Sequence, residues 1–348
     1  MLQMYIGIPN YIVILSHYLI LKMKKILILA LYLCFCHLSR AQGEGSAMRV
    51  LTLPTSAHVV ALGGESITAM DAMPGIGLHN PALLASVNDR SVELQFMSYA
   101  DGAKWMGAHY AMAFGERHTG AAYLQYMGYG EMEERDAAGN LMGNFSPKDM
   151  IFGVGYSYLL SDRWSGGANF KIDYSRIAEY SSAAIAVDLG LNYLDEEKDL
   201  SLSIAMRNIG AQVKTYDGVV ERVPYSLQMG LTQGLAHLPV AFTVTLTDLT
   251  RWKKSDYIAS GEDEKVGTGN LLLNHLVLGV EVRPRDNLWL ALGYNFRRGY
   301  ELKAADKAHM AGLSAGAGLN LRRFCIGLSW ARYHKATNSL MGSLAVNF

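Results

Sequence analysis

Apolar and polar residues alternate along most of this chain after residue 90, in short runs separated by turn residues. In one such run Leu288, Leu290, Leu292 and Tyr294 fall on one face, and small or polar residues fall on the other. A repeat of two residues indicates β-strands. The pattern predicts fourteen strands, at 91–99, 104–114, 117–128, 150–160, 163–177, 180–194, 199–210, 223–234, 240–248, 273–283, 286–297, 308–321, 323–334 and 338–348. The expected fold class is therefore all-β.

The last predicted strand carries Leu340, Leu344 and Phe348 on an apolar face and ends on an aromatic residue. In a soluble protein, an exposed apolar strand would be an open edge and an aggregation risk. A closed barrel in a membrane removes the edge and offers lipid to the apolar face. We therefore expect residues 91–348 to form a transmembrane antiparallel β-barrel of fourteen strands, in which Phe348 serves closure and assembly.

The lengths of the connections support this count. The four long connections, 129–149, 211–222, 249–272 and 298–307, all follow an odd-numbered strand, and the even-to-odd connections are short. Outer-membrane barrels have long extracellular loops and short periplasmic turns. The sequence thus predicts an integral outer-membrane protein with both termini in the periplasm.

The start of the sequence is typical of export. Lys24 and Lys25 precede the apolar run 26–35, and small residues lead to a plausible cleavage position after Ala41. We therefore expect residues 1–41 to be a signal peptide, of which 1–22 are an over-extended start. A retained anchor made of two apolar stretches is the alternative.

Composition narrows the function classes. Half of the residues are hydrophobic (50%), only 18% are charged, and the formal net charge is zero, which disfavours disorder and a nucleic-acid partner. Beyond the signal, Cys325 is the one cysteine, so no intramolecular disulfide can form. The sequence has no metal-ligand spacing, no nucleophile elbow and no triad order. We expect no enzyme activity, no catalytic residues, no metal and no cofactor.

Residues 42–90 do not alternate and are small and apolar, with turn signals at Gly63-Gly64 and at Asn80-Pro81. An unfilled lumen of fourteen strands would be an open pore. We therefore expect 42–90 to form an N-terminal plug, or hatch, inside the barrel. Its motif residues are Gly63, Gly64, Asp71, Asn80, Pro81 and Ala82.

These motif residues resemble the N-terminal segment of the FadL-like outer-membrane barrels, which have fourteen strands and a hatch carrying Asn-Pro-Ala. A closer resemblance, to the PorQ family of the type IX secretion system, rests on 49–64, 79–84, 208–218 and 292–303. It implies a non-enzymatic member of an attachment complex with PorU and PorV. The resemblance also implies that the barrel anchors a PorZ-like surface protein and that the complex serves to attach secreted cargo to anionic lipopolysaccharide. The FadL-like alternative implies a transporter of hydrophobic small molecules.

Aromatic and charged residues in the outer loops are candidates for partner docking, because interfaces use such side chains. The candidates are Tyr216, Trp252, Tyr257, Arg297, Arg298 and Tyr300. Ordinary solvated loops with aromatics at the membrane interface are the alternative interpretation. A transporter should have an apolar pocket inside the barrel and an opening in the barrel wall. A barrel that anchors a partner should instead have a filled lumen.

Overall fold

The computed structural model describes residues 48–69, 73–99, 102–136, 138–218, 220–257, 266–302, 310–333 and 337–348. The predicted signal peptide and Asp71 lie outside these ranges. Within them, no helix is both long and apolar enough to cross a bilayer.

Strands dominate the described residues. They are β1 Ser91–Ser98, β2 Lys104–Phe114, β3 His118–Gly128, β4 Met132–Arg135, β5 Leu141–Phe145, β6 Lys148–Leu159, β7 Trp164–Ile177, β8 Tyr180–Asp195, β9 Leu200–Lys214, β10 Ser226–Leu235, β11 Leu238–Leu246, β12 Leu276–Arg285, β13 Leu288–Asn295, β14 Leu313–Asn320, β15 Phe324–Ala331 and β16 Ser339–Asn347. Three short α-helices are α1 Ala57–Ala61, α2 Thr268–Leu273 and α3 Phe296–Glu301. The 3-10 helices are Arg49–Thr52, Pro74–Leu78, Pro81–Ser86, Glu196–Lys198 and Lys254–Asp256.

Fourteen of these strands form one closed antiparallel barrel. The barrel closes because β1 pairs with β2 on one side and with β16 on the other, where Ser91 lies opposite Asn347 and Ser98 opposite Leu340. Every predicted strand corresponds to one barrel strand, so the predicted fold class and strand number are confirmed.

Burial alternates along the barrel strands as the sequence pattern predicts. On β16, Leu340 and Leu344 are exposed on the outer surface, whereas Met341, Ser343 and Ala345 are buried on the inner side. On β6, Phe152, Val154 and Tyr156 are likewise exposed. Since a lipid-facing band of apolar side chains marks a membrane barrel, the outer surface suits a bilayer. Cys325 faces inward and is buried.

The long connections gather at one end of the barrel, here called the long-loop end. Three details differ from the prediction there. The 129–149 connection contains the hairpin β4–β5. Side chains on both faces of this hairpin are largely exposed, so its sequence does not alternate between apolar and polar residues. Strand β9 continues to Lys214, into the predicted loop 211–222. Residues Phe296 and Arg297, assigned to a strand in the prediction, instead begin α3 because the Asn295 side chain caps the helix.

A β-bulge interrupts the pairing of β8 with β9. The register shifts between Val187 and Leu189, opposite Asn208, which has a φ of 58°. As a result, Arg207 and Asn208 are both buried on the inner side although they are neighbours in sequence. Bulges commonly re-aim side chains in this way.

The N-terminal segment, residues 48–69 and 73–90, packs against the inner faces of strands all around the barrel. Helix α1 contacts β13 to β16, the 3-10 helix Pro74–Leu78 contacts β1 to β3, and Pro81–Ser86 contacts β3 and β6 to β8. Its side chains are among the most buried in the protein, including Leu62, Ile67, Met73, Ile76, Leu83 and Leu84. Much of the buried core therefore consists of this segment and the inward side chains that it meets.

Candidate functional site

The Gly63-Gly64 turn joins the N-terminal segment to the long-loop end. Both glycines have positive φ angles, 102° and 89°, which glycine adopts without steric cost. The Gly63 carbonyl accepts a hydrogen bond from Arg298 Nη2 at 3.0 Å. This predicted motif therefore lies against helix α3.

The predicted Asn-Pro-Ala motif anchors the segment on the other side of the barrel. Asn80 Nδ2 donates to the Ile67 carbonyl at 3.1 Å and to Ser203 Oγ at 3.0 Å, and Asn80 Oδ1 accepts from the Ala82 amide. The Ala82 carbonyl accepts from the hydroxyl of Ser165 at 3.0 Å. Pro81 adds a rigid start to the 3-10 helix. The motif thus satisfies backbone polar groups that burial would otherwise leave unpaired.

Sequence reasoning missed the ionisable contacts of the segment. His58 Nε2 lies 2.5 Å from Glu281 Oε2, and its ring stacks on Trp289 with centroids 4.3 Å apart. The Gly75 amide donates to Glu93 Oε2 at 2.6 Å. Such partners are far apart in the sequence, so no local pattern could have revealed them.

His79 is fully buried, and its Nε2 accepts a hydrogen bond from the Thr55 amide at 3.0 Å. Burial holds the pKa of His79 well below its usual value, and nearby Arg207 and Lys171 lower it further. The imidazole therefore stays neutral and acts as an acceptor within the segment.

The predicted docking residues do not share one exposed surface. Trp252 is 50% exposed, with its indole nitrogen donating to the Leu249 carbonyl at 2.7 Å. Tyr257 is buried against Val266 and Leu271, and Tyr300 packs on this cluster. Burial raises the pKa of Tyr257, so its phenol stays neutral.

The other docking candidates are also engaged within the chain. Arg297 pairs with Asp248 at 2.6 Å and with Glu301 at 3.0 Å. Arg298 is buried, and Tyr216 donates from its hydroxyl to Ser175 at 2.5 Å. Of the six candidates, Trp252 is therefore the one with a largely exposed side chain, although its indole nitrogen and one side of its ring are engaged within the chain.

A cavity of about 410 Å³ lies between the Gly63-Gly64 turn and the long connections. We call it the loop-end cavity. Its ionisable and aromatic lining consists of Arg49, Arg207, Arg251, Arg297, Arg298, Glu65, Asp248, Glu301, Tyr99 and Tyr333. The cavity is therefore rich in arginine, which is not expected of a pocket for uncharged hydrophobic molecules.

The remaining predicted features are placed as follows. Phe348 is 82% exposed at the end of β16, and its amide donates to the Arg90 carbonyl at 3.2 Å. Among the described residues, no three His, Cys, Asp or Glu side chains are grouped closely enough to hold a metal ion.

Solved structures with a similar fold include proteins described as a transporter and as a channel. The toluene transporter TodX of Pseudomonas putida is 13% identical, with a TM-score of 0.55, over 85% of this chain and 98% of that one. The monoaromatic hydrocarbon channel CymD is 12% identical, with a TM-score of 0.51, over 87% of this chain and 99% of that one.

A FadL homologue of Pseudomonas aeruginosa is 11% identical over 84% of this chain and 97% of that one, with a TM-score of 0.45. No protein-family model matches the chain, and no curated protein matches it. The similarity to TodX and CymD concerns the fold alone, a closed antiparallel β-barrel of fourteen strands.

Proposed function

We propose that this barrel is a non-enzymatic outer-membrane scaffold of the type IX attachment machinery, holding a PorZ-like partner at the cell surface alongside PorU and PorV. The observation that supports the proposal is the packing of the N-terminal segment inside the barrel, where its helices contact ten of the fourteen barrel strands. A barrel filled in this way offers its long loops, rather than a passage, for function. The long loops would then be extracellular, and both termini periplasmic.

Trp252 is the docking residue that this proposal singles out. It is half exposed in the long connection between β11 and β12, and tryptophan is enriched among the residues that dominate binding energy. Replacing such a residue with alanine typically costs about 2 kcal/mol or more, equivalent to roughly thirtyfold in affinity.

The test is recovery of the partner with the tagged barrel from gently solubilised outer membranes. We expect a PorZ-like protein to co-purify with the unaltered chain and to be largely lost with Trp252→Ala. Trp164→Ala is the matched control, because Trp164 is similarly exposed but begins β7 at the opposite end of the barrel. Equal recovery with all three chains, or no such protein with any, would contradict the proposal.

Transport of hydrophobic small molecules is the second candidate, and the comparisons favour it over the scaffold. TodX and CymD, which share the fold, are described as a toluene transporter and a monoaromatic hydrocarbon channel. The arginine-rich loop-end cavity fits such cargo poorly, because an uncharged apolar ligand would desolvate arginines without pairing with their charge. Transport would be favoured if a strain lacking the chain took up toluene or laurate more slowly but still kept the PorZ-like protein at its surface.

A further inference from the structure

The loop-end cavity has the size of a small-ligand site. Its volume of about 410 Å³ falls within the range of roughly 300–1,000 Å³ that is common for ligand pockets. The N-terminal segment forms one wall through Arg49, the Gly63-Gly64 turn and Glu65, while Arg207 comes from the barrel wall. The long connections supply the remaining walls, so the cavity is shaped by several independent elements.

Positive charge exceeds negative charge in this lining, because five arginines face three acids. Two of the acids, Asp248 and Glu301, are both paired with Arg297. The third, Glu65, accepts from Gln228 at 2.9 Å and lies 3.6 Å from Arg207. The acids are thus already engaged with partners inside the protein.

Three of the arginines have no carboxylate within ion-pair distance among the described residues. Arg251 donates to the Tyr225 carbonyl, and Arg298 donates to the Gly63 carbonyl while lying 4.6 Å over the Tyr333 ring. Arg49 is exposed to the cavity without an ion-pair partner in the described part of the chain. Their charges are therefore available to a ligand.

Two guanidinium groups are buried with spare donors. Arg207 is 3% exposed and Arg298 is 9% exposed, and the Nε of each lacks a hydrogen-bond acceptor within the described residues. The β-bulge at Asn208 directs Arg207 inward, and the Asn295 cap fixes the start of α3 that carries Arg298. Because a buried donor without an acceptor is costly, an anion that accepts from these two Nε groups would stabilise this arrangement.

We propose that the loop-end cavity binds a small anion that carries at least two negative charges on phosphate or carboxylate groups. Guanidinium groups bind phosphate and carboxylate groups alike, because they donate two parallel hydrogen bonds to a pair of their oxygens. The site does not depend on the scaffold proposal, because its argument uses only the charge and geometry of the cavity.

The test is calorimetric titration of the full chain in detergent at low salt, with pyrophosphate, citrate and laurate as probes. We expect pyrophosphate, citrate or both to bind, and binding to weaken as salt is added. Arg207→Gln and Arg49→Gln should each weaken binding about tenfold or more, because each removes a charged donor. Arg49 is exposed, so Arg49→Gln should fold normally even if Arg207→Gln does not.

Arg285→Gln is the matched control, because Arg285 is exposed at the opposite end of the barrel. It should bind like the unaltered chain. Binding of pyrophosphate alone would assign the site to phosphates, and binding of citrate alone to carboxylates. Binding of laurate alone, binding of no probe, or binding by the Arg207→Gln and Arg49→Gln variants as tight as that of the unaltered chain would overturn the proposal.

Discussion

At the scale of single residues, small size decides where the N-terminal segment can lie. Gly293 faces inward on β13, and a Cβ there would collide with the backbone of Ala61, Leu62 and Gly63. Backbone cannot move aside as the end of a flexible side chain can. The glycine therefore permits the close approach of the Gly63-Gly64 turn to the barrel wall.

Gly293→Ala should consequently destabilise the protein by about 1–3 kcal/mol, the usual cost of overpacking. The urea midpoint of the detergent-solubilised barrel would measure this change. Gly143→Ala is the control, since a Cβ at Gly143 in the β4–β5 hairpin meets nothing within 4 Å. A midpoint for Gly293→Ala equal to that of the control would contradict the packing argument.

His79 gives the protein a pH dependence of known sign. Because its folded-state pKa lies well below the ordinary 6.5, the unfolded chain binds more protons than the native protein below that pH. The free energy of unfolding is therefore fully retained above about pH 6.5 and decreases as the pH falls below that value. The urea midpoint should be lower at pH 5 than at pH 8, and this difference should shrink in His79→Gln. An identical difference in both chains would exclude His79 as its source.

At the scale of elements, the bulge at Asn208 links the wall of the barrel to its contents. The Asn208 amide nitrogen donates to Asp188 Oδ1 at 2.7 Å, and Asn208 Nδ2 donates to the Pro224 carbonyl at 3.1 Å. Its side chain also accepts from the Lys171 ammonium. Asn208, with its left-handed backbone conformation, thus connects the bulge by hydrogen bonds to a neighbouring loop and to a buried lysine.

Two substitutions at this position separate backbone strain from lost hydrogen bonds. Asn208→Gly and Asn208→Ala both remove the side-chain contacts, but only alanine is strained at a φ of 58°. We expect alanine to be less stable than glycine by about 1–2 kcal/mol, measured as urea midpoints. Equal stability of the two variants would show that the bulge relaxes when its side chain is removed.

The elements also show what a sequence can and cannot reveal. Alternation predicted the barrel strands because each has one lipid-facing and one inward side. The hairpin β4–β5 escaped because both of its faces are exposed. The bulge escaped because adjacent Arg207 and Asn208 both point inward, which breaks the repeat of two.

The site was predictable only where local chemistry marked it. The turn at Gly63-Gly64 and the cap at Asn80 carry recognisable signals. The contact of His58 with Glu281 joins residues 223 positions apart, and the arginines of the loop-end cavity come from separate elements. Assembly of such a site depends on the closed barrel, which local patterns do not describe.

At the scale of the whole molecule, the protein is a closed barrel of fourteen strands with the N-terminal segment packed against its inner side. Neighbouring strands close the wall without a free edge, which membrane barrels require. The N-terminal segment fixes itself inside through the Asn80 contacts, the His58–Glu281 pair and the close approach at Gly293. Function would then be carried by the long loops and the loop-end cavity.

The most direct test of this occupied interior is the ionic conductance of the full chain in a planar lipid bilayer. We predict that the unaltered protein stays closed, whereas a variant lacking residues 48–86 opens a stable pore, because the segment fills the lumen. A steady conductance from the unaltered protein as large as that of the shortened variant would contradict the account.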